Sequence, residues 1–258
     1  MRNPLFYWLF YGHFWIALAA MALSWQSTYL YSGSRALTVT HWLTLFATLG
    51  VYTSHRTLSY RRARGEPDGR RYRLVARRPV ASALVALSSL TVAAALATQF
   101  PLTAFWPVVF AVPLTLFYLV PLFPGGPRLR DLPYLKVVWV ALAWTLVTDV
   151  FATGTITAES VTRFGFTLAV ALLFDIRDVA LDRRQGVRTL AATAPRWNRR
   201  LAIGLLLGCA LSSPPTLAVA YLVGAAVGLL TTPRRSEHYY AVWVNGSLLL
   251  PPLFLWLD

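Results

Sequence analysis

Asp175, Asp178 and Asp182 are three of only ten acidic residues in a chain of 258. They lie in the run from Phe174 to Leu190, Phe-Asp-Ile-Arg-Asp-Val-Ala-Leu-Asp-Arg-Arg-Gln-Gly-Val-Arg-Thr-Leu. Spacings of three and then four residues place all three on one stripe of a helix. Carboxylates so arranged offer only oxygen donors, which suit a hard divalent cation, most naturally Mg²⁺ carrying phosphate oxygens. Arg177, Arg183, Arg184 and Arg188 lie around them and suit an anionic substrate. The preceding segment, Thr162–Leu173, is apolar enough to be membrane-embedded, where carboxylates are unfavourable unless compensated. For the same residues, an Asp–Arg network capping the helix at the membrane boundary is the structural alternative.

The elements that must position these residues are hydrophobic. Apolar residues make up 57% of the chain, charged residues 13%, and the mean hydropathy is +0.53, values of an integral membrane protein. A net charge of +14 raises nucleic acid as a partner, but the basic residues sit in short loops between apolar runs, as on a cytoplasmic membrane face. The single cysteine, Cys209, allows no intrachain disulfide. No Gly-rich phosphate loop, CxxC pair, HExxH or GxSxG motif occurs, and the four histidines have no metal-ligand spacing to one another. The first apolar run is long, aromatic and followed by many others, so it is expected to be a retained anchor rather than a cleaved signal.

Taking about 20 mainly apolar residues per crossing, the chain divides into nine expected spans forming one domain over residues 1–258. They are Leu5–Trp25, Leu37–Leu58, Pro79–Phe100, Leu102–Phe123, Pro133–Ala152, Ser160–Ile176, Arg200–Ser212, Pro214–Thr231 and His238–Leu257. With the N-terminus cytoplasmic and the C-terminus outside, all of the 24 Lys and Arg except Arg35 and Arg163 fall on inside segments. Fusing the short seventh and eighth spans across Ser212-Ser213-Pro214-Pro215 destroys that pattern, so they are read as two. Two inside loops are long, Ser59–Arg78 and Arg177–Arg199, and they follow the second and sixth spans. The first is rich in arginine, and attraction to anionic lipid accounts for it as readily as a diphosphate does.

The run Asp175-Ile-Arg-Asp-Val-Ala-Leu-Asp-Arg-Arg-Gln-Gly-Val-Arg-Thr-Leu resembles the second aspartate-rich motif of the UbiA superfamily of membrane prenyltransferases. It is most similar to the branch that makes menaquinone precursors, through Asp178, Asp182, Gly186, Thr189 and Leu190 in order and spacing. Tyr118 with Pro121, then Leu135-Lys136, resembles the family's tyrosine and lysine bordering the loop between helices four and five. Arg78-Pro79 resembles the pair that opens its third helix. The family's first acidic motif does not appear: Val51–Ser59 reads Val-Tyr-Thr-Ser-His-Arg-Thr-Leu-Ser, with Tyr52, His55 and Ser59 in place of the acids. Glu66 and Asp68, in the loop beyond, substitute for them only if that loop folds back.

The resemblance implies an all-α bundle of nine transmembrane helices that transfers a prenyl group from a prenyl diphosphate to a lipophilic acceptor. It implies Mg²⁺ on Asp175, Asp178 and Asp182, and phosphate oxygens on Lys136, Arg188 and Arg78, with Tyr118 beside them. His55 and Arg56 would place positive charge where the family holds a second metal. The alternatives within the resemblance are a terpene cyclase that ionises the diphosphate without an external acceptor, and a non-catalytic protein that binds an isoprenoid lipid. The positive-inside pattern and the small, loop-poor form point to a bacterial inner membrane.

Overall fold

Helix α1, Pro4–Tyr11, turns through 54° into α2, Phe14–Ser32, and the turn is made at His13 in a left-handed conformation (φ 69°). The computed structural model describes residues 4–62, 70–184 and 186–258. Within them the remaining long helices are α3 Val39–Arg62, the short α4 Arg70–Arg77, α5 Pro79–Ala97 and α6 Trp106–Leu119. Then come α7 Lys136–Thr153, α8 Ala158–Arg184, the single turn α9 Leu190–Thr193, α10 Pro195–Leu211, α11 Pro215–Leu230 and α12 Glu237–Leu257. Prolines open α5, α10 and α11, where a missing N–H loses no helical hydrogen bond. No strand occurs among the described residues.

Each of the nine expected spans coincides with one of these helical stretches, the first being the bent α1–α2 pair. By length and composition α5, α7 and α12 are long and apolar enough to cross a membrane, and the α1–α2 pair is a fourth if taken as one span. The break between α10 and α11 at residues 212–214 separates the seventh and eighth stretches as expected. Two of the expected loops are more ordered than anticipated. The Ser59–Arg78 segment contains α4, and α8 runs on past Ile176 to Arg184. Helix formers Ala180, Leu181, Arg183 and Arg184 carry it, until Gly186 (φ 70°) ends it.

The helices pack as a closed sequence of neighbours. α6 lies on α7, α7 on α8, α8 on α10, α10 on α11, α11 on α12, α12 on α2, α2 on α3 and α3 on α5. Contacts of Phe100, Phe105 and Phe151 join the α5 end to the start of α6 and to α7. The α3–α5 contact is made by small residues: Ser82, Ala86, Ser89 and Ala93 form the buried face of α5. A Cβ on Gly50 would come within 2.7 Å of the Leu90 side chain, so only glycine permits that approach.

Polarity is turned outside in. Val80, Leu84 and Leu87 of α5, Val109, Phe110 and Val112 of α6, and Trp243, Leu253 and Trp256 of α12 are exposed. Ser24, Gln26, Ser27, His41, Thr44, Asp149 and Arg163 are buried. An apolar exterior of this extent is stable only against lipid. The chain is a multi-pass membrane protein.

Candidate functional site

The end of α8 is built to hold Asp182 in a fixed place. Val187 N–H donates to Asp182 O (2.9 Å) and Gly186 N–H to Arg183 O (3.2 Å), a Schellman termination with glycine at the left-handed position. Buried Thr189 caps α9 by accepting from Ala192 N–H, and Arg183 donates to Ala192 O. The Gly and Thr-Leu positions that follow the acidic run therefore fold the chain back beneath it. Tyr134 N–H donates to Arg188 O (2.9 Å), which ties the loop before α7 to the same region.

Asp175 and Asp182 converge on one cation, the ammonium of Lys136. Lys136 Nζ donates to Asp175 Oδ1 at 2.9 Å and to Asp182 Oδ2 and Oδ1 at 2.8 and 3.1 Å. All three residues are buried, Asp182 completely. Seven residues fall about 20° short of two helical turns, so Asp175 and Asp182 stand almost in line. Asp178 is rotated by about 60° from Asp175, and it engages Arg177 through two contacts of 2.9 and 3.0 Å. Arg177 in turn lies over the rings of Phe174 and Tyr240, at 4.9 and 5.7 Å from their centres, and so joins this end of α8 to α12. Asp175 and Asp182 thus meet at one cation, the Lys136 ammonium, while Asp178 pairs with Arg177. Among the described residues, no three His, Cys, Asp or Glu side chains form a metal-ligand set.

Tyr118, at the end of α6, lies within electrostatic range of Lys136, Asp175 and Asp178, and the Arg130 guanidinium is 5.7 Å from its ring centre. Arg128 grips Asp131 with Nε and Nη2, both at 2.8 Å, and these bonds hold the Asp131 carboxyl below the usual carboxylate range. Arg78 and Arg188 have exposed side chains that make no hydrogen bond or ion pair among the described residues. Beside Lys136 and Asp175 a cavity of about 260 Å³ opens between α7, α8 and α10, walled mainly by Val137, Val138, Leu168, Leu172, Leu190 and Leu201.

On α3, at the place of the missing acidic motif, Tyr52 accepts a hydrogen bond from Trp144 Nε1 (2.9 Å) and Thr53 Oγ1 meets His13 Nδ1 (3.3 Å). His55 and Arg56 act electrostatically on His13, and Arg56 lies 5.1 Å from the Tyr72 ring centre. Tyr52 lies within range of both Arg56 and Tyr118, which links this place to the acidic end of α8. Glu66 and Asp68 lie outside the described residues.

A second buried cluster lies at the other end of α8 and was not anticipated as a unit. Ser160 Oγ donates to Asp149 Oδ2. Arg163 Nη2 donates to Ser27 Oγ (3.1 Å) and Glu159 Oε1 (3.4 Å), and Gln26 Nε2 also reaches Glu159 Oε1 (3.4 Å). Asp149 sits where α7 widens into a π turn, Leu146–Val150. Its signal in the sequence was an ionisable residue inside each of two expected spans. Arg163, which the charge count leaves off the inside segments, is 1% exposed.

In the donor chemistry, two carboxylates meeting at one point suit Mg²⁺ in kind, but that point is where the Lys136 ammonium lies. No protein-family model matches the chain, and no curated protein matches it in sequence. Among solved structures, it matches that of a UbiA homolog from Archaeoglobus fulgidus bound to GPP and Mg²⁺. The TM-score is 0.66 at 14% identity, covering 96% of this chain and 98% of that one. The chain has the UbiA fold.

Proposed function

We propose that this chain is a UbiA-type membrane prenyltransferase, which takes a prenyl diphosphate with Mg²⁺ and transfers the prenyl group to a lipophilic acceptor. The observation that carries this reading is the convergence of Asp175 and Asp182 on one cation position at the buried end of α8. It is supported by the fold, whose homolog binds GPP and Mg²⁺. In the same reading the helices make nine crossings, with the N-terminus and the acidic end of α8 on the cytoplasmic side of a bacterial inner membrane.

The slow step in such a transfer is cleavage of an allylic carbon–oxygen bond, with negative charge growing on the diphosphate. Mg²⁺ bound by Asp175 and Asp182 would offset that charge. Lys136 donates hydrogen bonds to the leaving phosphate oxygens, and Tyr118 with Arg130 flanks them. Arg177 and Asp178 hold the end of α8 against α12 and so fix the direction of the two aspartates. Apolar helix faces keep water from the prenyl carbon as it gains positive charge. Around α3, His55 and Arg56 supply cationic charge in place of carboxylates and a second metal.

The test is release of inorganic diphosphate from geranyl diphosphate by the purified protein with Mg²⁺, alone and with candidate quinone-precursor acceptors. Release lost in Asp175→Asn and Asp182→Asn is the expected result, and no release from the wild type with any acceptor sinks the catalytic reading. A cyclised hydrocarbon product would identify a cyclase instead. One observation favours a second reading, a non-catalytic isoprenoid-binding protein: the place of the first acidic motif holds Tyr52, His55 and Arg56. Binding of geranyl diphosphate without turnover distinguishes that reading.

A further inference from the structure

The acid pair has a cation of its own. Lys136 comes from the first turn of α7, 39 positions before Asp175 in sequence, and its ammonium bridges both carboxylates from within hydrogen-bond distance. It is 7% exposed, so little water competes for its three donors. The ammonium and two carboxylates together carry one net negative charge, whereas the carboxylates alone would carry two. Asp178 is paired with Arg177, and its charge is also felt at Lys136 and Asp175.

We propose that Lys136 is an exchangeable counter-ion that couples metal binding to diphosphate binding. The inference rests on the prenyl-diphosphate reading above and deepens it. An ammonium and a divalent cation repel one another and cannot share one point between the same oxygens. Metal ion alone therefore meets a site that is already compensated, and must displace a buried positive charge that has nowhere favourable to go. A diphosphate changes this, because its oxygens receive the displaced ammonium while the two aspartates receive the metal. Neither ligand binds tightly alone, and each raises the affinity of the other by the same factor. Lys136 is in this sense a positioning residue before the reaction and a substrate contact during it. The protein thus holds its acid pair closed to free Mg²⁺ until the anionic substrate arrives.

The experiment uses the full chain in detergent or nanodiscs, with Mn²⁺ as a paramagnetic stand-in for Mg²⁺ and inorganic diphosphate as the anion. Free Mn²⁺ is read by electron paramagnetic resonance, so no turnover is required. In the wild type, diphosphate is expected to tighten Mn²⁺ binding at least about tenfold beyond what Mn²⁺–diphosphate association in solution explains. In Lys136→Gln, Mn²⁺ alone is expected to bind about tenfold more tightly than to the wild type, with a smaller response to diphosphate. Lys136→Arg, which keeps the charge, should retain weak binding of Mn²⁺ alone. Equal Mn²⁺ affinity in wild type and Lys136→Gln overturns the exchange while leaving the diphosphate reading in place. If Lys136→Gln does not fold, the wild type decides: Mn²⁺ affinity indifferent to diphosphate overturns the proposal. No Mn²⁺ bound by any of the proteins, with or without diphosphate, overturns the proposal and the prenyl-diphosphate reading together.

Discussion

At its C-terminal end α8 presents Asp175 and Asp182 to a single ammonium. Nineteen residues earlier, about 28 Å along the helix, its N-terminal end holds Arg163 among Ser27, Glu159 and Gln26. Both clusters are buried and both contain charge, yet they are built differently. At the first, two like charges are brought together and held by the four-carbon side chain of Lys136 from another helix. At the second, a guanidinium bonds to a carboxylate one turn away on the same helix, and Arg163 Nε and Nη1, Asp149 Oδ1 and Gln26 Oε1 have no hydrogen-bond partner among the described residues. Like charges brought together need a cation and can trade one for another, which is the property of a ligand site. A guanidinium locked to its own helix bridges α2 and α8 and has no such freedom. Buried charge alone therefore does not mark the proposed active end of this bundle; the convergence of two carboxylates on one ammonium does.

Asp182→Ala should break the first cluster most severely. Removing one of two converging carboxylates is expected to lower diphosphate release by roughly 10²–10³-fold, measured with protein shown to be folded by its thermal transition. Arg163→Met sharpens the contrast from the other end. Leaving Glu159 without its buried counter-charge should destabilise the fold by about 3 kcal/mol, seen as a lower unfolding temperature. Diphosphate binding per folded molecule should stay the same. Asp178→Asn tests whether the third aspartate belongs to the acid pair or to the α8–α12 contact. Loss of a charge-assisted pair with Arg177 predicts about 1–2 kcal/mol of destabilisation, with a smaller effect on metal binding than Asp182→Ala; an equal effect would make Asp178 a ligand. The smallest effect lies at Asp131. Its carboxyl is held low by hydrogen bonds from Arg128, so the pair's contribution is complete above the ordinary carboxylate pKa and disappears as pH falls through the lowered one. The pair is partly exposed, so only about 0.5 kcal/mol should be lost on acidification, and Asp131→Asn should remove that part of the acid dependence.

The contrast was half legible in the sequence. Three aspartates at spacings of three and four, followed by Gly186 and Thr189-Leu190, pointed to the end of α8 now proposed as the site, because helical geometry and helix termination are local properties. The residues offered Lys136 to phosphate but did not reveal its contact with the acids: in the structure it bridges Asp175 and Asp182, 39 and 46 positions further along the chain. Only tertiary packing of α7 on α8 brings them together. Arg78 and Arg188 looked equally suited to an anion, but nothing in their local sequence reveals that their side chains face outward. Arg163 was counted at the outer end of the sixth expected span, since that count is blind to the side of a helix on which an arginine lies. Positions of the helical stretches were readable throughout, including the break after Leu211, because prolines and apolar length set them.

The central claim is that the Asp175–Asp182 pair forms the diphosphate site and the Arg163 cluster does not. The most direct measurement is equilibrium binding of geranyl diphosphate, with and without Mg²⁺, to wild type, Asp182→Asn and Arg163→Met. A diphosphate site at the Asp175–Asp182 pair requires Mg²⁺-dependent binding in the wild type, the same affinity in Arg163→Met, and at least about a tenfold loss in Asp182→Asn, about 1.4 kcal/mol. Undiminished Mg²⁺-dependent binding in Asp182→Asn, or a loss confined to Arg163→Met, would contradict it.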